Sequence, residues 1–293
     1  MNVEKERRAI QYLQAFEPQT EPYYLCYSGG KDSDTIRILA SLAGVKHDIV
    51  NNHTTVDAPE TVRYIRSIPG IQINYPQKTM WELIVEKGIP PTRLVRYCCS
   101  NLKEHGGKGR VKITGVRKAE SVNRRENADV VQIIGKPQTV LKAAEESEVD
   151  HRITPKGGIV LNTDNDASRR FVEQCYRTTS TMVNPIVDWS DDDVWQFLRH
   201  YGCQSNPLYC MGFKRVGCIG CPMAGGKVMK KEFALYPKYQ ENYIRAFGRM
   251  IKRRIERGLP AVWQSGEETF KWWVGDDPNQ MSFDDYDEDW YRI

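Results

Sequence analysis

Residues 22–43 read PYYLCYSGGKDSDTIRILASLA, and this stretch decides the fold. The apolar, aromatic run at 22–28 ends at two glycines, which is typical of a buried strand that runs into a turn. After the glycines, apolar residues recur at the spacing of an amphipathic helix, at Ile36, Leu39, Ala40 and Ala43. The stretch therefore predicts a strand, a glycine turn and a helix in direct succession.

The turn carries side chains that suit a phosphate group. It reads Ser28-Gly29-Gly30-Lys31-Asp32-Ser33. Amides at the start of a helix attract an anion, and glycines let the anion approach the backbone closely. Lys31 can neutralise charge, the two serine hydroxyls can donate hydrogen bonds, and Asp32 can hold Mg²⁺ or cap the helix. The Walker A pattern is absent, so we predict a different phosphate loop, the alternative being an ordinary Gly-Gly turn.

Strand-like and helix-like patterns continue to alternate along the chain. Strand-like runs lie at 46–52, 71–76, 110–116 and 130–134, with helix-like stretches at 60–67 and 79–86. This alternation predicts an α/β fold with a doubly wound parallel sheet covered on both faces. We place a soft boundary at residue 188. Residues 1–187 would form the nucleotide-binding α/β domain, and residues 188–293 a helical, cysteine-rich extension.

The composition excludes several classes of protein. The 293 residues are 40% hydrophobic and 27% charged, which is typical of a soluble globular protein. The sequence contains no apolar run of the roughly 18 to 20 residues that cross a bilayer, and its N-terminus is charged where a signal peptide is apolar. We expect a cytoplasmic protein with no membrane partner and with reduced cysteines. The net charge of +4 is too small to require a nucleic-acid partner.

Two cysteine pairs form a second candidate site, at Cys98-Cys99 and at Cys218-x-x-Cys221. A CxxC knuckle presents two thiolates to a metal centre, and a second pair would complete four ligands. Spacing alone fits a structural zinc ion as well as an iron–sulfur cluster, and unliganded thiols are a third alternative. Cys203 and Cys210 could be spare ligands or reactive thiols, although small loop residues are the more ordinary interpretation.

Charge is uneven toward the C-terminal side. Residues 241–257 hold six Arg or Lys and two Glu, and the segment from Asp276 to Asp289 holds seven acids and no base. Such runs usually form a solvated helix face and a solubilising tail. The alternative is a surface for an anionic polymer such as nucleic acid, with the tail as its competitor.

Five stretches resemble the phosphoadenosine phosphosulfate (PAPS) reductase family of PP-loop ATP pyrophosphatases, over roughly residues 20–225. SGGKDS resembles the PP-loop itself. The other four resemble TGxxFPET, GxRxxESxxR, PIxDWxxxDVW and NPLYxxGxxRxGCxxC, and they are NHTTVDAPET (52–61), GVRKAESVNRR (115–125), NPIVDWSDDDVW (184–195) and NPLYCMGFKRVGCIGC (206–221). The resemblance implies a doubly wound sheet with an adenine nucleotide, ATP or PAPS-like, at its carboxyl edge.

The resemblance also implies roles for residues around that nucleotide. Arg117 and Arg124 would clamp phosphate or sulfate oxygens with their guanidinium groups, the alternative being structural salt bridges. Glu120 would orient an arginine or a metal-bound water, and Asp57 would contact the ribose or adenine unless it caps a turn. The implied binding residues are Ser28, Gly29, Gly30, Lys31, Asp32, Ser33, Asp57, Gly115, Arg117, Glu120 and Arg124, with Lys31, Asp32 and Arg117 catalytic.

The cysteine pattern resembles one branch of the family. Assimilatory adenylyl-sulfate reductases have a CC…CxxC set that holds a 4Fe–4S cluster, and Cys98, Cys99, Cys218 and Cys221 match it. Lys103 matches the lysine of their CCxxRK motif, although Leu102 replaces the arginine. The resemblance therefore implies a 4Fe–4S cluster, with zinc as the alternative. The family's nucleophilic cysteine, in an ECGLH-like motif, has no counterpart after Cys221.

Three functions follow from these features. The first is an enzyme that binds ATP with Mg²⁺, adenylates an acceptor and releases pyrophosphate during sulfur transfer, as in nucleic-acid thiolation. Residues 241–257 would contact a nucleic-acid acceptor, and a sulfur donor would be a partner. The second is a PAPS or adenylyl-sulfate reductase that uses a non-standard cysteine and a thioredoxin-like partner. The third is a non-catalytic module that senses nucleotides.

Overall fold

The computed structural model describes residues 2–135, 137–147, 149–155 and 157–276. The chain divides into two compact units, each made of several chain segments. Unit 1 comprises Met1–Asn52, Pro59–Asn74 and His105–Val216, and unit 2 comprises His53–Ala58, Tyr75–Glu104 and Gly217–Ile293. Unit 1 includes residues on both sides of residue 188, and the sequence-based division at that point stays a prediction. The acidic run after Asp276 lies outside the described residues.

An eight-stranded sheet forms the centre of unit 1. Its strands are β1 (Tyr23–Cys26), β2 (His47–Asn52), β3 (Gln72–Asn74), β4 (Lys112–Ile113), β5 (Val131–Ile134), β6 (His151–Ile153), β7 (Ile159–Leu161) and β8 (Ser180–Val183). They are ordered β3-β2-β1-β4-β8-β5-β7-β6. The first five in this order pair in parallel. The predicted α/β fold with a doubly wound, mainly parallel sheet is confirmed.

The far side of the sheet differs from the all-parallel expectation. Strand β5 pairs antiparallel with both β8 and β7, and β6 pairs antiparallel with β7. The residues predicted as a strand at 130–134 do form one, at Val131–Ile134, but its direction is reversed. Strands β6 and β7 are joined by a short turn, at which the Thr154 amide donates a hydrogen bond to the Gly158 carbonyl at 2.8 Å. A hairpin connection of this kind gives an antiparallel pair.

Helices flank the strands in unit 1 and make up most of unit 2. Their bounds are α1 (Val3–Ala15), α2 (Lys31–Ala43), α3 (Pro59–Arg66), α4 (Met80–Lys87), α5 (Val122–Asn127), α6 (Pro137–Glu146), α7 (Asp166–Cys175), α8 (Asp191–His200), α9 (Gly226–Leu235), α10 (Pro237–Glu256) and α11 (Gly266–Val274). A π-helical turn covers Cys99–Lys103, and 3-10 turns cover Lys118–Glu120, Pro207–Tyr209 and Pro222–Ala224. In the described residues, no helix is both long enough and apolar enough to cross a membrane.

The core of unit 1 positions the glycine turn between β1 and α2. Strand β1 is buried along Tyr23–Leu25, as expected for a central strand of a parallel sheet covered on both faces. From α2, Ile36 and Leu39 are fully buried in the same apolar cluster as Leu25. Because β1 and the apolar face of α2 are fixed in this core, the turn between them has a defined position at the sheet edge.

Unit 2 has its own core of aromatic side chains. Tyr243 of α10 stacks against Trp273 of α11 with ring centroids 4.6 Å apart, and Phe233 of α9 lies 5.0 Å from Phe270. Helices α10 and α11 pack closely at Gly266 because glycine has no Cβ atom. A Cβ atom there would lie only 2.9 Å from the backbone nitrogen of Gly248. Unit 2 is therefore a compact helical body that carries most of residues 241–257 on α10.

Candidate nucleotide site and cysteine cluster

The glycine loop, residues 28–33, connects β1 to α2. Gly29 has a φ of +73°, and a Cβ atom there would lie 2.9 Å from Ile65 Cγ1, so the position requires glycine. The Gly30 amide donates a hydrogen bond to Ser33 Oγ at 3.0 Å, and that hydroxyl donates to the Gly30 carbonyl at 2.7 Å. The Ser33 hydroxyl, predicted as a phosphate donor, therefore caps the helix. Ser28 is exposed beside it.

Two carboxylates lie beside the first turn of α2. Lys31 Nζ is 3.2 Å from Asp32 Oδ2 and 3.3 Å from Asp191 Oδ1, at the start of α8. Partial burial opposes ionisation of Asp191, but the hydrogen bonds and charges of Arg117 and Lys31 lower its pKa. Asp191 therefore stays ionised at neutral pH. The Lys31 ammonium group contacts both carboxylates at the first turn of α2, where helix amides could bind a phosphate.

Arg117 holds this carboxylate pair from inside the protein. Its Nε donates to Asp32 Oδ1 at 2.7 Å, its Nη2 to Asp191 Oδ1 at 2.6 Å, and its Nη1 to the Trp189 carbonyl at 3.2 Å. The residue is 1% exposed. Because all three nitrogens donate to protein acceptors, this geometry matches the structural salt bridge that the sequence left as an alternative to a phosphate clamp.

Arg124 and Arg215 are two further cations of unit 1, and both are more accessible than Arg117. Arg124 pairs with Glu120, and its side chain is one-third exposed. Burial, followed by the charges of Arg215 and Arg117, lowers the pKa of Arg124, while Asp32 opposes this shift. Two guanidinium groups that destabilise each other's charge would be stabilised by an anion between them. Arg215 was not predicted as a site residue, although it lies in the quoted stretch 206–221.

The glycine loop is also held in place by the close approach of Gly115 and by hydrogen bonds with the segment that contains the NPLY motif. A Cβ atom on Gly115 would lie 3.0 Å from Asp32 Cβ and 3.1 Å from the Asp32 carbonyl oxygen. Asn206 Nδ2 donates to the Gly29 carbonyl at 3.0 Å, and the Lys31 amide donates to Tyr209 Oη at 2.9 Å. The sequence predicted Gly115 but missed Asn206, Tyr209 and Asp191. All three residues lie in the stretches that resemble the family, but the spacing within such a stretch does not show which of its side chains contact the loop.

Asp57 lies in unit 2, whereas the glycine loop belongs to unit 1. Its Oδ2 accepts a hydrogen bond from the Thr54 amide at 3.0 Å, and its carbonyl accepts one from Tyr239 Oη at 2.7 Å. Asp57 also forms an antiparallel bridge with Cys218. This is the turn-capping arrangement that was the alternative for Asp57, and its predicted contact with a nucleotide stays a prediction.

The cysteine cluster, Cys98, Cys99, Cys218 and Cys221, lies within unit 2. The charges of Cys99, Cys218 and Cys221 all act on Cys98. A hydrogen bond from the Cys98 thiol lowers the pKa of Cys99 to about 6. Cys218 Sγ donates to Thr54 Oγ1 at 3.5 Å. The fold therefore brings both predicted pairs together, across more than a hundred residues of chain.

Two charged side chains contact the segments that carry the cluster. The charge interaction with Cys218 is the largest influence that raises the pKa of Lys103, whereas burial raises the pKa of Cys218 itself. The buried Glu232 carboxylate of α9 accepts a hydrogen bond from the Gly220 amide, between Cys218 and Cys221, at 2.8 Å. Burial raises the pKa of Glu232 to about 7.

Within the described part of the chain, no three His, Cys, Asp or Glu side chains form a group that could hold a metal ion. The donor set, four thiols and a neighbouring lysine, still has the chemistry of an iron–sulfur site, because each cysteine of such a site binds a different iron.

The sheet and the helices around it define a doubly wound α/β protein. The chain belongs to the phosphoadenosine phosphosulfate reductase domain family, whose sequence profile matches residues 22–224. This confirms the family that the motifs resemble.

Individual relatives are between 25% and 43% identical to this chain over the aligned residues. An uncharacterized protein of Methanocaldococcus jannaschii is 28% identical over 251 residues, which cover 83% of this chain and 45% of that protein. A second one from the same organism is 25% identical over 229 residues, covering 74% and 46%. The chain thus spans about half the length of these relatives. The adenosine 5′-phosphosulfate reductase of Allochromatium vinosum is 43% identical over 42 residues, covering 14% of this chain and 16% of that enzyme.

Among solved structures, the PAPS reductase of Candida auris in its phosphate complex aligns with a TM-score of 0.42 and 14% identity. The alignment covers 72% of this chain and 87% of that one. The FMN adenylyltransferase of Candida glabrata aligns with a TM-score of 0.41 and 14% identity, covering 74% and 63%.

Proposed function

We propose that this chain is a Mg²⁺-dependent enzyme that adenylates an acceptor with ATP. The observation that carries the proposal is the pair of carboxylates, Asp32 and Asp191, which both contact Lys31 of the glycine loop. Mg²⁺ is usually bound by one or two carboxylates together with substrate phosphates. The pair suits a Mg²⁺–triphosphate better than a nucleotide that binds without a metal, because carboxylates alone repel phosphate.

The reaction would be a displacement at the α-phosphorus of ATP. An oxygen of the acceptor forms the new bond to phosphorus, the bond to the bridging oxygen of the β-phosphate breaks, and pyrophosphate leaves with the electron pair. Lys31 and the helix amides would stabilise the charge of the leaving pyrophosphate. Arg124 and Arg215 would bind oxygens of the nucleotide, and Arg117 would keep Asp32 and Asp191 in position. Bound Mg²⁺ would neutralise phosphate charge and orient the phosphates.

The cysteine cluster would hold a 4Fe–4S cluster that serves the sulfur-transfer step, with zinc as the alternative. The charges of Cys99, Cys218 and Cys221 all act on Cys98, so one unit supplies the four thiols that either centre needs. The CC…CxxC pattern favours the iron–sulfur cluster. Lys103 would offset the negative charge of the cluster and tune its potential.

The acceptor that we favour is a nucleic acid. On α10 the side chains of Arg245, Arg249, Lys252 and Arg253 are exposed, and their spacing of three to four residues puts them on one side of the helix. A row of exposed cations can contact successive phosphates of a strand, in competition with salt. A sulfur donor, protein or small molecule, would complete the reaction.

The second candidate function is reduction of a sulfonucleotide. It is favoured by the 43% identity with an adenosine 5′-phosphosulfate reductase over 42 residues. The reaction would need a nucleophilic cysteine and a thioredoxin-like reductant. The two candidate nucleophiles are Cys203 and Cys210. Cys210 is exposed, whereas burial raises the pKa of Cys203 and keeps its thiol protonated.

One assay separates these functions. The protein is purified without oxygen and incubated with Mg²⁺, reductant and thioredoxin, and with ATP, PAPS or adenylyl sulfate. Pyrophosphate and sulfite are measured together, with and without bulk tRNA as acceptor. We expect pyrophosphate from ATP, no sulfite, and loss of turnover in Lys31→Met but not in the exposed control Lys46→Met. Sulfite from a sulfonucleotide would instead establish the reductase, and ATP binding without turnover under every condition would indicate a nucleotide sensor.

A further inference from the structure

One amide of the glycine loop already has a side-chain acceptor. Lys31 is the first residue of α2, so its N–H is among those that no carbonyl within the helix can accept. It donates to Tyr209 Oη at 2.9 Å. An anion bound at the start of this helix needs the same hydrogen. Because an amide has one hydrogen, the phenol and a phosphate oxygen are alternative partners.

The two acceptors differ in strength. Burial raises the pKa of Tyr209 to about 12, so its hydroxyl is neutral at physiological pH. A hydrogen bond from an amide to an ionised phosphate oxygen is stronger than one to a neutral hydroxyl. A phosphate that reaches the loop should therefore take the Lys31 amide from Tyr209.

The backbone around Tyr209 is anchored, whereas its ring is not fully enclosed. Asn206 is completely buried, and its Nδ2 donates to the Gly29 carbonyl at 3.0 Å and to Thr61 Oγ1 at 3.1 Å. Tyr209 itself is half-buried, and its ring meets Trp195 of α8 edge to face, with centroids 4.9 Å apart. The ring can thus turn on a fixed backbone, and its movement would change the surroundings of Trp195.

We infer that Tyr209 is a nucleotide-displaced gate on the glycine loop. Its hydroxyl holds the Lys31 amide until a nucleotide phosphate takes that hydrogen, and the ring then moves relative to Trp195. This inference rests on the proposed function, since it requires a nucleotide phosphate at the loop. Tyr209 would thus accept the hydrogen bond of the Lys31 amide in the free protein. It would lower the affinity for the nucleotide, because the phosphate must displace it.

The test compares Tyr209→Phe with the wild-type protein in calorimetric titrations with Mg²⁺–ATP. Phenylalanine cannot accept the amide hydrogen, so we expect Tyr209→Phe to bind about two- to tenfold more tightly. The matched control Tyr12→Phe changes a partly exposed tyrosine on α1 and should bind as the wild type does. Equal or weaker binding by Tyr209→Phe would overturn the gate.

Tryptophan fluorescence supplies a second readout. ATP should change the emission of the wild-type protein, and Trp195→Phe should remove most of that change while still binding ATP in the calorimeter. Calorimetric binding with an unchanged Trp195 signal would refute the gate and leave the proposed function standing. Absence of binding in both the wild type and Tyr209→Phe would refute both.

Discussion

Arg117 illustrates how a residue can be found from sequence while its role is not. Its motif predicted a cation that binds an anion near the glycine loop, and in the structure Arg117 contacts Asp32 of that loop directly. The motif could not show that Asp191, more than seventy residues away, would accept a hydrogen bond from the same guanidinium. Arg117 therefore positions two carboxylates, and Arg124 with its larger exposure is better suited to touch a ligand.

Substitution of the two arginines should separate these roles. Arg117→Leu leaves two close carboxylates with only Lys31 between them, so we expect the free energy of unfolding to fall by about 2–4 kcal/mol. Arg124→Leu should change it by less than about 1 kcal/mol but weaken ATP binding about tenfold. Urea unfolding and calorimetry measure the two quantities. A stable Arg117→Leu together with a destabilised Arg124→Leu would reverse the assignment.

Glu232 should make stability depend on pH. Burial raises its pKa from 4.5 to about 7 in the folded protein, so the folded state binds the extra proton between these values. Stability is therefore greatest at low pH in this window and falls as pH rises toward 7. Glu232→Gln keeps an acceptor for the Gly220 amide but cannot ionise.

The experiment is urea unfolding of both proteins between pH 5 and 7.5. The variant should gain about 1–2 kcal/mol relative to the wild type over this range, after allowance for partial solvent screening. A constant difference between the two proteins would mean that Glu232 ionises normally.

At the scale of secondary-structure elements, local sequence patterns predicted the bounds of a helix well. They did not predict the direction of a strand, which depends on pairing with distant residues. The helix after the glycine turn begins at Lys31 and ends at Ala43, as its apolar spacing indicated, with Gly44 in a left-handed conformation at its end. Its bounds depend on residues within a few positions. The direction of β5 depends on pairing with β8 and β7, whose residues lie tens of positions further along the chain. No periodicity within 130–134 carries that information.

The contact between Gly115 and the first turn of α2 should be intolerant of a methyl group. A Cβ atom there meets the backbone of Asp32 at 3.1 Å, so Gly115→Ala must push the loop away. We expect a loss of about 1–3 kcal/mol in stability and weaker ATP binding. Gly248→Ala is the control, because no atom lies within 4 Å of its added Cβ in the middle of α10. It should stabilise the protein by about 0.5–1 kcal/mol. Similar behaviour of both variants would contradict the steric argument.

At the scale of the whole molecule, the motifs predicted candidate residues but not the compact unit to which each belongs. The sequence placed Asp57 with the nucleotide-binding residues, whereas the structure groups it with Cys218 in unit 2. That unit is assembled from three separate chain segments. A sequence read in one direction suggests boundaries along the chain, but compact units form wherever buried contacts join distant segments. For the same reason the pairing of Cys98-Cys99 with the CxxC loop required the fold.

The cysteine cluster makes a prediction for metal content. Anaerobically purified protein should contain about four iron and four sulfide per chain, and Cys221→Ser should lose most of both. Cys210→Ser, which changes an exposed cysteine of unit 1, should retain them. Elemental analysis with visible absorption spectra decides the matter. One zinc per chain, with no sulfide, would contradict an iron–sulfur site.

We expect the glycine loop and the carboxylates Asp32 and Asp191 to bind a Mg²⁺–triphosphate. The most direct test is calorimetric titration of the anaerobic protein with ATP, PAPS and adenylyl sulfate, with and without Mg²⁺. Mg²⁺ should tighten ATP binding about tenfold or more, and Asp191→Asn should lose most of this gain. ATP binding that does not depend on Mg²⁺, together with tighter binding of a sulfonucleotide, would contradict the proposed Mg²⁺–triphosphate site.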